Sequence, residues 1–233
     1  MTFDDPLISV LVPAYNEAAT IVAVLEAVNE KVPFRIELIV VDDGSDDGTP
    51  ELAEQVAGTI VVRHGANRGK GAGVRTGIAR STGDIVVIQD ADLEYDPVDI
   101  PRLVEPLVRG VADVVYGSRL RGGEPQRAHL FWHYAGNKFL SLLTGVLYNT
   151  TLSDMEVGYK AFAGDLIRSI PLVSEGFAIE PEMTAKILRR NVRVYEVPIS
   201  YYGRTFAEGK KITWRDGLTA VATLVRCRFG GEY

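Results

Sequence analysis

Three carboxylates lie close together directly after an apolar run. The run is Ile85 to Gln89, and Asp90, Asp92 and Glu94 follow it before Pro97 opens another helix. Alternate side chains of an extended chain point the same way, so we expect these carboxylates to share one side and to repel one another without a cation. Their hard oxygens suit Mg²⁺ or Mn²⁺ held jointly with a substrate's phosphates. The alternative is an acidic loop that only caps the next helix.

Two more polar clusters follow apolar runs. Leu7 to Val12 is continuous and rich in β-branched residues, and the cluster Pro13 to Glu17 follows it. Ile36 to Val41 repeats the pattern before Asp42 to Thr49, where we predict that Thr49 caps a helix. Apolar runs of this kind are typical of strands buried on both faces. In parallel sheets ligands bind outside the carboxyl ends of strands, so the clusters are expected to converge on one crevice.

The order of the elements predicts an α/β fold with a mostly parallel central sheet flanked by helices. Further strands are predicted at Thr59 to Arg63 and at Val114 to Ser118, which delivers Arg119 to the same edge, and helices are predicted between the strands. A chain of 233 residues fits one large domain with a sizeable core. Later in the chain we predict a strand within Asp154 to Phe162, a helix from Gly176 to Arg190, a strand with an edge position from Val192 to Tyr202 and a final helix from Arg215 to Arg228.

A glycine-rich stretch from Gly65 to Gly77 matches neither the P-loop nor the dinucleotide fingerprint. Lys70 is followed by Gly71 instead of Ser or Thr, and no GxGxxG spacing is completed. What remains is a loop entering a helix, with basic residues among the glycines. It either contacts phosphate or lets the helix pack closely on the sheet.

Charge and composition restrict the environment of the chain. The formal net charge is −6, but Lys186 to Arg228 has ten Lys or Arg against three Asp or Glu, which is +7 and leaves −13 for the remainder. This basic region either faces an anionic partner or is a solvated surface. The one cysteine, Cys227, excludes an internal disulfide and suits a reducing compartment. We expect no signal peptide and no spanning helix, because no apolar run approaches 18 residues.

The most apolar segment of the chain is Ala128 to Leu147. It is rich in Phe, Trp, Tyr and Leu, and polar residues with a basic edge interrupt it. Such a composition suits a helix at a membrane surface or an ordinary core helix. The sequence alone leaves both interpretations open.

Several motifs, in their order and spacing, together resemble the family 2 glycosyltransferases, which have the GT-A fold. The resemblance covers nearly the whole chain and is strongest for the branch of dolichol- and polyprenol-phosphate mannose and glucose synthases. The motifs are Pro13-Ala14-Tyr15-Asn16-Glu17, Asp42-Asp43-Gly44-Ser45, Asp47-Gly48-Thr49, Asn67-Arg68-Gly69-Lys70-Gly71, Asp90-Ala91-Asp92 and Gly117-Ser118-Arg119, with DMEVGYKAF and YYGRTFAEGKKITWRDG typical of the branch.

The resemblance implies a role for particular residues in binding the nucleotide-diphosphate sugar. The base and ribose are expected to contact Pro13, Tyr15, Glu17, Val41 and Asp43. Asp90, Ala91 and Asp92 match the DxD motif, and Glu94 stands where mannose synthases often carry Gln, which adds a negative charge to the expected metal site. The residues that match phosphate-binding basic positions are Arg119, Arg204 and Lys210.

The implied reaction is metal-dependent transfer of a hexose, from GDP-mannose or UDP-glucose, to a polyprenyl or dolichyl phosphate with inversion. We expect Asp92 and Arg119 to act in catalysis, and Asp154 to be the base if the acceptor is a hydroxyl. Residues 1–120 would bind the donor and 121–233 the acceptor. The chain would lie peripherally at the cytoplasmic face of a membrane, with or without a separate anchoring protein, and would bind no nucleic acid.

Three alternatives remain at this stage. One is a transferase of the same fold that acts on a hydroxyl of a polysaccharide or small molecule. Another is a sugar nucleotidyltransferase, which would need a nucleoside triphosphate. The third is a non-catalytic module that binds nucleotide sugars.

Overall fold

The computed structural model describes residues 3–122, 131–203 and 214–230. Its strands are β1 (Leu7–Ala14), β2 (Arg35–Asp42), β3 (Thr59–Arg63), β4 (Ile85–Ile88), β5 (Val114–Ser118), β6 (Lys160–Ala163) and β7 (Val194–Pro198). Its helices are α1 (Ile21–Lys31), α2 (Thr49–Glu54), α3 (Lys70–Arg80), α4 (Ile100–Val108), α5 (Phe131–Tyr148), α6 (Gly164–Arg168), α7 (Ile179–Leu188) and α8 (Trp214–Phe229).

The described strands form one seven-stranded sheet in the order β3-β2-β1-β4-β6-β5-β7. All neighbours pair in parallel except those of β6. The central strands are buried on both faces, as their continuous apolar sequences predict, and β4 has no exposed residue. The predicted α/β architecture is therefore confirmed.

Strand β6 is the exception that shapes the edge of the sheet. It runs antiparallel between β4 and β5, and its first residue, Lys160, pairs with Ile88 near the end of β4 and with Tyr116 in β5. An antiparallel strand begins where its parallel neighbours end. The loop before β6, from Leu152 to Tyr159, is thus brought to the edge where the polar clusters lie.

Two of the differences from the sequence prediction have a clear physical reason. Strand β7 is shorter than Val192 to Tyr202, ends at Pro198 and lies at the sheet edge, where a proline costs no ladder hydrogen bond. The prediction that Thr49 caps α2 is wrong. Gly48, with φ of +89°, holds the cap position, and Thr49 is the first helical residue. The Thr49 hydroxyl is used elsewhere, since it accepts a hydrogen bond from the Glu17 N–H at 2.9 Å.

A second, smaller hydrophobic cluster lies beside the main core. Helices α5, α7 and α8 and the loop before β6 build it from Leu140, Met155, Ala185, Ala220, Leu224 and Cys227. The opposite side of α5 is exposed, so this segment is not an ordinary core helix. No helix among the described residues is both long and apolar enough to cross a membrane.

Much of the basic charge in the C-terminal fifth serves the fold. Lys186 pairs with Glu182, and Arg193 forms a two-pronged pair with Asp113. Arg189 and Arg190 donate to the Cys227 carbonyl and to Ser169, respectively. The expectation of a basic surface aimed at an anionic partner is therefore too broad, because these four residues already have partners within the chain.

Candidate active site

The acidic segment after β4 is a turn. Leu93 has φ of +59°, and the Glu94 N–H donates to Asp92 Oδ1 at 3.1 Å. The expectation that alternation aims Asp90, Asp92 and Glu94 to one side of an extended chain is therefore wrong. A turn gives each carboxylate a different direction and a different partner. Asp96 accepts a hydrogen bond from the Val98 N–H and so caps the short helical turn that follows.

Asp90 is part of a buried chain of charges. Lys70, at the start of α3, places Nζ 2.7 Å from Asp90 Oδ1 and 3.4 Å from Glu180 Oε1. The other Glu180 oxygen pairs with Lys160, whose side chain is fully buried. Burial lowers the pKa of Lys70, but the Asp90 and Glu180 carboxylates outweigh it and raise that pKa above its ordinary value. The ammonium group of Lys70 is therefore held in its charged form beside the DxD motif.

Two glycines near Lys70 allow close packing, which is one of the two roles predicted for the glycine-rich stretch. A Cβ on Gly71 would clash with the Ser174 carbonyl oxygen, so this end of α3 packs directly on backbone. A Cβ on Gly158 would lie 2.6 Å from Asp90 Oδ2 and 2.9 Å from Lys70 Nζ. Close packing therefore explains these two glycines and also brings Lys70 onto Asp90.

Arg119 and Asp154 form a buried two-pronged ion pair. Arg119 Nε and Nη2 each lie 2.7 Å from an Asp154 oxygen, and the Arg119 N–H adds a third bond at 3.0 Å. Asn137 of α5 donates to Asp154 Oδ1 at 2.8 Å. Burial alone would raise the pKa of Asp154, but Arg119 and these hydrogen bonds lower it below its usual value. Asp154 is fully buried, so its contacts orient Arg119.

Tyr201 connects the arginine to the acidic turn. Its hydroxyl donates to Glu94 Oε2 at 2.8 Å, and the Arg119 guanidinium lies 5.1 Å from the centre of its ring. The Tyr201 ring also packs on Tyr95, whose hydroxyl accepts a hydrogen bond from the Gly158 N–H. The turn after β4, the end of β5 and the loop before β6 therefore meet at one place.

On the other side of the site, Asp43 organises the loop before α3. It accepts hydrogen bonds from the Arg68 and Gly69 N–H groups at 3.0 and 2.7 Å, and His64 Nδ1 lies 2.7 Å from its Oδ1. The other ring nitrogen of His64 bonds Thr76 Oγ1 at 2.9 Å. Asp43 is 4% exposed, and its contacts fix the chain that carries Lys70 to Asp90.

The remaining residues that are predicted to bind the donor lie near one another at the ends of β1 and β2. Pro13 and Val41 both lie within 4.0 Å of the position that a Cβ on Gly73 would take, and Val41 is buried. Tyr15 is 37% exposed, and Glu17 is held through its N–H by Thr49. Their contact with a base and ribose stays a prediction. Arg204 and Lys210 lie outside the described residues.

The carboxylates of the turn do not form a complete metal site by themselves. Among residues 3–122, 131–203 and 214–230, no group of three or more His, Cys, Asp or Glu side chains is arranged to hold a metal ion. Lys70 already balances Asp90, while Asp92 and Glu94 add hard oxygens nearby. This donor set fits a divalent ion whose remaining ligands come from a substrate diphosphate.

Sequence reasoning missed Lys160 and Glu180 as parts of the site. A lysine inside the apolar run from Val157 to Ala163 is a signal, because a fully buried lysine needs a carboxylate partner. Glu180 lies in the first turn of α7, where an acidic side chain also suits the helix dipole, so its position alone does not signal a role in the site. Its carboxylate instead pairs with Lys70 and Lys160, and α7 has no side-chain cap at Ala178.

Comparison with known proteins identifies the kind of chain that carries this site. Residues 9–159 match the family model described as glycosyl transferase family 2. The chain is 32% identical over 198 residues to glycosyltransferase AglJ of Haloferax volcanii, covering 84% of this chain and 63% of that protein. It is 33% identical over 217 residues to undecaprenyl-phosphate mannosyltransferase of Micrococcus luteus, covering 86% and 85%.

The fold also matches solved structures. Glucosyl-3-phosphoglycerate synthase from Mycobacterium tuberculosis, in complex with Mn²⁺, UDP and glucosyl-3-phosphoglycerate, superimposes with a TM-score of 0.75 at 25% identity, over 96% of this chain and 80% of that one. Its complex with Mn²⁺ and UDP-glucose gives a TM-score of 0.76 over 96% and 79%. These matches confirm the GT-A fold expected from the sequence.

Proposed function

The chain belongs to glycosyl transferase family 2, and we propose that it moves a hexose from a nucleotide-diphosphate sugar to a polyprenyl phosphate. The link between Arg119 and α5 carries this proposal. Asn137 of α5 donates to the Asp154 carboxylate that holds Arg119. A guanidinium suited to an acceptor phosphate thus lies beside a helix with an apolar outer face. The undecaprenyl-phosphate mannosyltransferase relative supports the same acceptor class.

The donor would bind at the carboxyl ends of the strands in the N-terminal half of the chain. We assign the base and ribose to Pro13, Tyr15, Glu17, Val41 and Asp43, and the diphosphate to the turn after β4. Residues 1–120 would thereby supply the donor side and 121–233 the acceptor side, although both halves share one sheet. Lys70, charged and fixed on Asp90, adds positive potential beside the diphosphate.

Asp92 is the proposed principal protein ligand of Mg²⁺ or Mn²⁺, with Asp90 and Glu94 around it. A bound divalent ion would offset the negative charge that builds on the departing diphosphate. Asp92 would hold the ion beside the diphosphate. The Tyr201 hydroxyl, which donates to the Glu94 carboxylate, orients Glu94. The Mn²⁺ complexes of the structurally similar synthase support a divalent ion here.

Arg119 is the proposed clamp on the acceptor phosphate, and Asp154 is its positioning residue. A lipid phosphate is anionic at neutral pH, so its oxygen attacks the anomeric carbon without a general base. Asp154 is a poor base, because three hydrogen bonds from Arg119 and one from Asn137 occupy its carboxylate and its pKa is lowered. This favours a phosphate over a hydroxyl acceptor. Direct attack inverts the anomeric centre.

We propose that the outer faces of α5 and α8 lie on the cytoplasmic face of a membrane. On α5 the spacing of seven, three and four residues puts the exposed side chains in one stripe, Trp132, Phe139, Leu142 and Val146. Helix α8 adds exposed Leu218, Val225 and Phe229 beside Arg226 and Arg228. Aromatic and aliphatic side chains with nearby arginines suit the headgroup region of an anionic bilayer.

Thermal unfolding tests the donor half of the proposal. A nucleoside diphosphate that binds only the folded state raises stability by RT ln(1 + [L]/Kd). GDP and UDP should differ in the shift they produce, and Mn²⁺ should enlarge the shift of the better ligand in the wild type but not in Asp92→Asn. Equal shifts with and without Mn²⁺ would contradict the metal assignment.

An anomer-resolved transfer assay tests the reaction itself. Purified chain, labelled nucleotide sugar and detergent-dispersed polyprenyl phosphate should give a lipid-linked sugar with the anomeric configuration opposite to that of the donor. Retention of configuration would overturn the direct-attack mechanism. Family membership favours this reaction over nucleotidyl transfer.

A further inference from the structure

Glu156 is a carboxylic acid in the site that the proposed reaction leaves without a role. From Asp154 to Phe162 it is the one residue that is not fully buried. Its neighbours are fixed, since the Met155 N–H donates to Ser141 Oγ at 3.1 Å and the Gly158 N–H donates to Tyr95. The backbone around Glu156 is therefore anchored, while the residue itself is partly exposed.

Glu156 lies between the two halves of the proposed reaction. Two residues before it, Asp154 holds Arg119, and two residues after it, Gly158 lies against Asp90 and Lys70. Four charges act on its carboxyl group, two negative and two positive, from Glu180, Lys160, Arg119 and Asp154. The proposed reaction moves the sugar from the diphosphate near Asp90 to the acceptor on Arg119, and Glu156 lies in the loop that connects these two places.

One oxygen of Glu156 lacks a partner. Its Oε1 is buried and accepts no hydrogen bond within the described part of the chain. Burial, with Glu180 nearby, raises the pKa of the Glu156 carboxyl to about 7. Burying a polar atom without a partner costs free energy, so a hydrogen-bond donor from a ligand at this partly exposed residue would offset that cost. Each free hydroxyl of a hexose can supply such a hydrogen.

We infer that Glu156 binds a hydroxyl group of the transferred sugar through Oε1 and thereby selects among donor sugars. The inference rests on the proposed function, because it takes the nucleotide-sugar site as given. A site built to bond a hydroxyl strongly rejects the analogue that lacks it. The inference assigns Glu156 a contact with the sugar and none with the nucleoside diphosphate.

Binding measurements on four proteins test the inference. Wild type, Glu156→Gln and Glu156→Ala are compared with Glu105→Gln, a control at an exposed helix position whose carboxylate pairs with Arg109. GDP, UDP, GDP-mannose and UDP-glucose are titrated by calorimetry with Mn²⁺. For the nucleotide sugar that binds wild type, Glu156→Ala should weaken affinity about 10- to 100-fold and leave the matching nucleoside diphosphate unchanged.

Monodeoxy analogues of that sugar identify the bond. The analogue that lacks the partner hydroxyl should bind wild type as weakly as the parent nucleotide sugar binds Glu156→Ala. Glu156→Ala should bind this analogue and the parent nucleotide sugar with equal affinity. Equal affinity of wild type and both Glu156 variants for the parent sugar would overturn the inference and leave the proposed function intact. If wild type bound none of the four nucleotides, the proposed function and this inference would fall together.

Discussion

The donor side and the acceptor side of the site are built in opposite ways. Around Asp43 and Asp90 the contacts are polar, and loops at neighbouring strand ends bond one another through backbone N–H groups and Lys70. Around Arg119 there is one buried ion pair next to an exposed apolar helix face. The first arrangement suits a hydrophilic nucleotide, and the second suits an anionic headgroup on a hydrocarbon chain.

Because the two sides are built differently, we expect substitutions on each side to impair a different activity. Damage on the donor side should abolish nucleotide binding and all turnover. Damage on the acceptor side should spare nucleotide binding and lower transfer to the lipid. Variants on the two sides should therefore give different combinations of nucleotide binding and transfer.

The largest effect is expected for Asp92→Asn. Loss of a charged ligand should remove the charge balance for the departing diphosphate and lower turnover about 10³-fold or more. Steady-state transfer assays with Mn²⁺ measure it, and circular dichroism checks the fold. Turnover near the wild-type rate in a folded Asp92→Asn protein would break the account of the donor side.

The next largest effect is expected for Arg119→Lys. A lysine keeps the charge but loses the two-pronged bond to Asp154 that orients the side chain, so transfer to polyprenyl phosphate should fall about 10²-fold with little change in nucleotide binding. The matched control is Arg193→Lys, because Arg193 makes the same two-pronged pair with Asp113 away from the site. Equal losses in the two variants would mean that both pairs serve only the fold.

Asp154→Asn separates positioning from base catalysis. If Asp154 only orients Arg119, the asparagine should lower transfer about 10-fold at every pH. Rates are measured from pH 4 to pH 9 with polyprenyl phosphate as the acceptor. A rate that falls at low pH in the wild type, with that acidic limb absent from the variant, would assign Asp154 to proton transfer and favour a hydroxyl acceptor.

A smaller and more selective effect is expected when the exposed apolar face of α5 is altered. Replacing Trp132 and Phe139 by serine should lower transfer to long-chain polyprenyl phosphate in anionic vesicles about 10-fold, since each removes apolar area from the bilayer. Transfer to a short, water-soluble polyprenyl phosphate should not change. Ile60→Ser, at an exposed apolar residue on β3, is the control. Equal losses of transfer with both acceptors would contradict the proposed contact with a membrane.

The smallest effect concerns stability and pH. The Glu156 carboxyl has its pKa raised to about 7 from an ordinary 4.5. Between these values the unfolded state releases a proton that the folded state keeps, so wild-type stability falls as pH rises through this window. Glu156→Gln should then be about 1–3 kcal/mol more stable than wild type at pH 8 and equal to it at pH 4.

Urea unfolding at the two pH values measures this difference. Glu105→Gln should show none, because its carboxylate is exposed. A stability gain in Glu156→Gln that is the same at both pH values would show that the carboxyl titrates normally. Lys160, Glu180, Arg119 and Asp154 all act on this group, and none of them is altered in either variant.

Most of the fold was predictable because its signals are local. Apolar runs marked the strands, and polar residues after them marked the edge where Asp43, Asp90 and Arg119 lie. The turn at Asp90 to Glu94 was not predictable, because it depends on a leucine with positive φ, which residue type does not signal. Alternation therefore gave the wrong geometry for correctly chosen carboxylates.

The acceptor side depends on contacts that sequence patterns do not report. The antiparallel direction of β6 brings Asp154 to Arg119, 35 positions earlier in the chain, and Lys160 to Glu180, 20 positions later. Strand patterns identify β6 but carry no information on its direction. The pairing partners of buried charges follow from that direction, so they had to be seen in the structure.

The nature of the acceptor, a lipid phosphate or a hydroxyl, can be tested in one experiment. Wild-type protein is offered one labelled nucleotide sugar and two detergent-dispersed acceptors with the same polyprenyl chain, one ending in phosphate and the other in a hydroxyl. We expect labelled product from the phosphate at least about 10²-fold faster than from the alcohol. Equal transfer to both acceptors, or transfer to the alcohol alone, would contradict it.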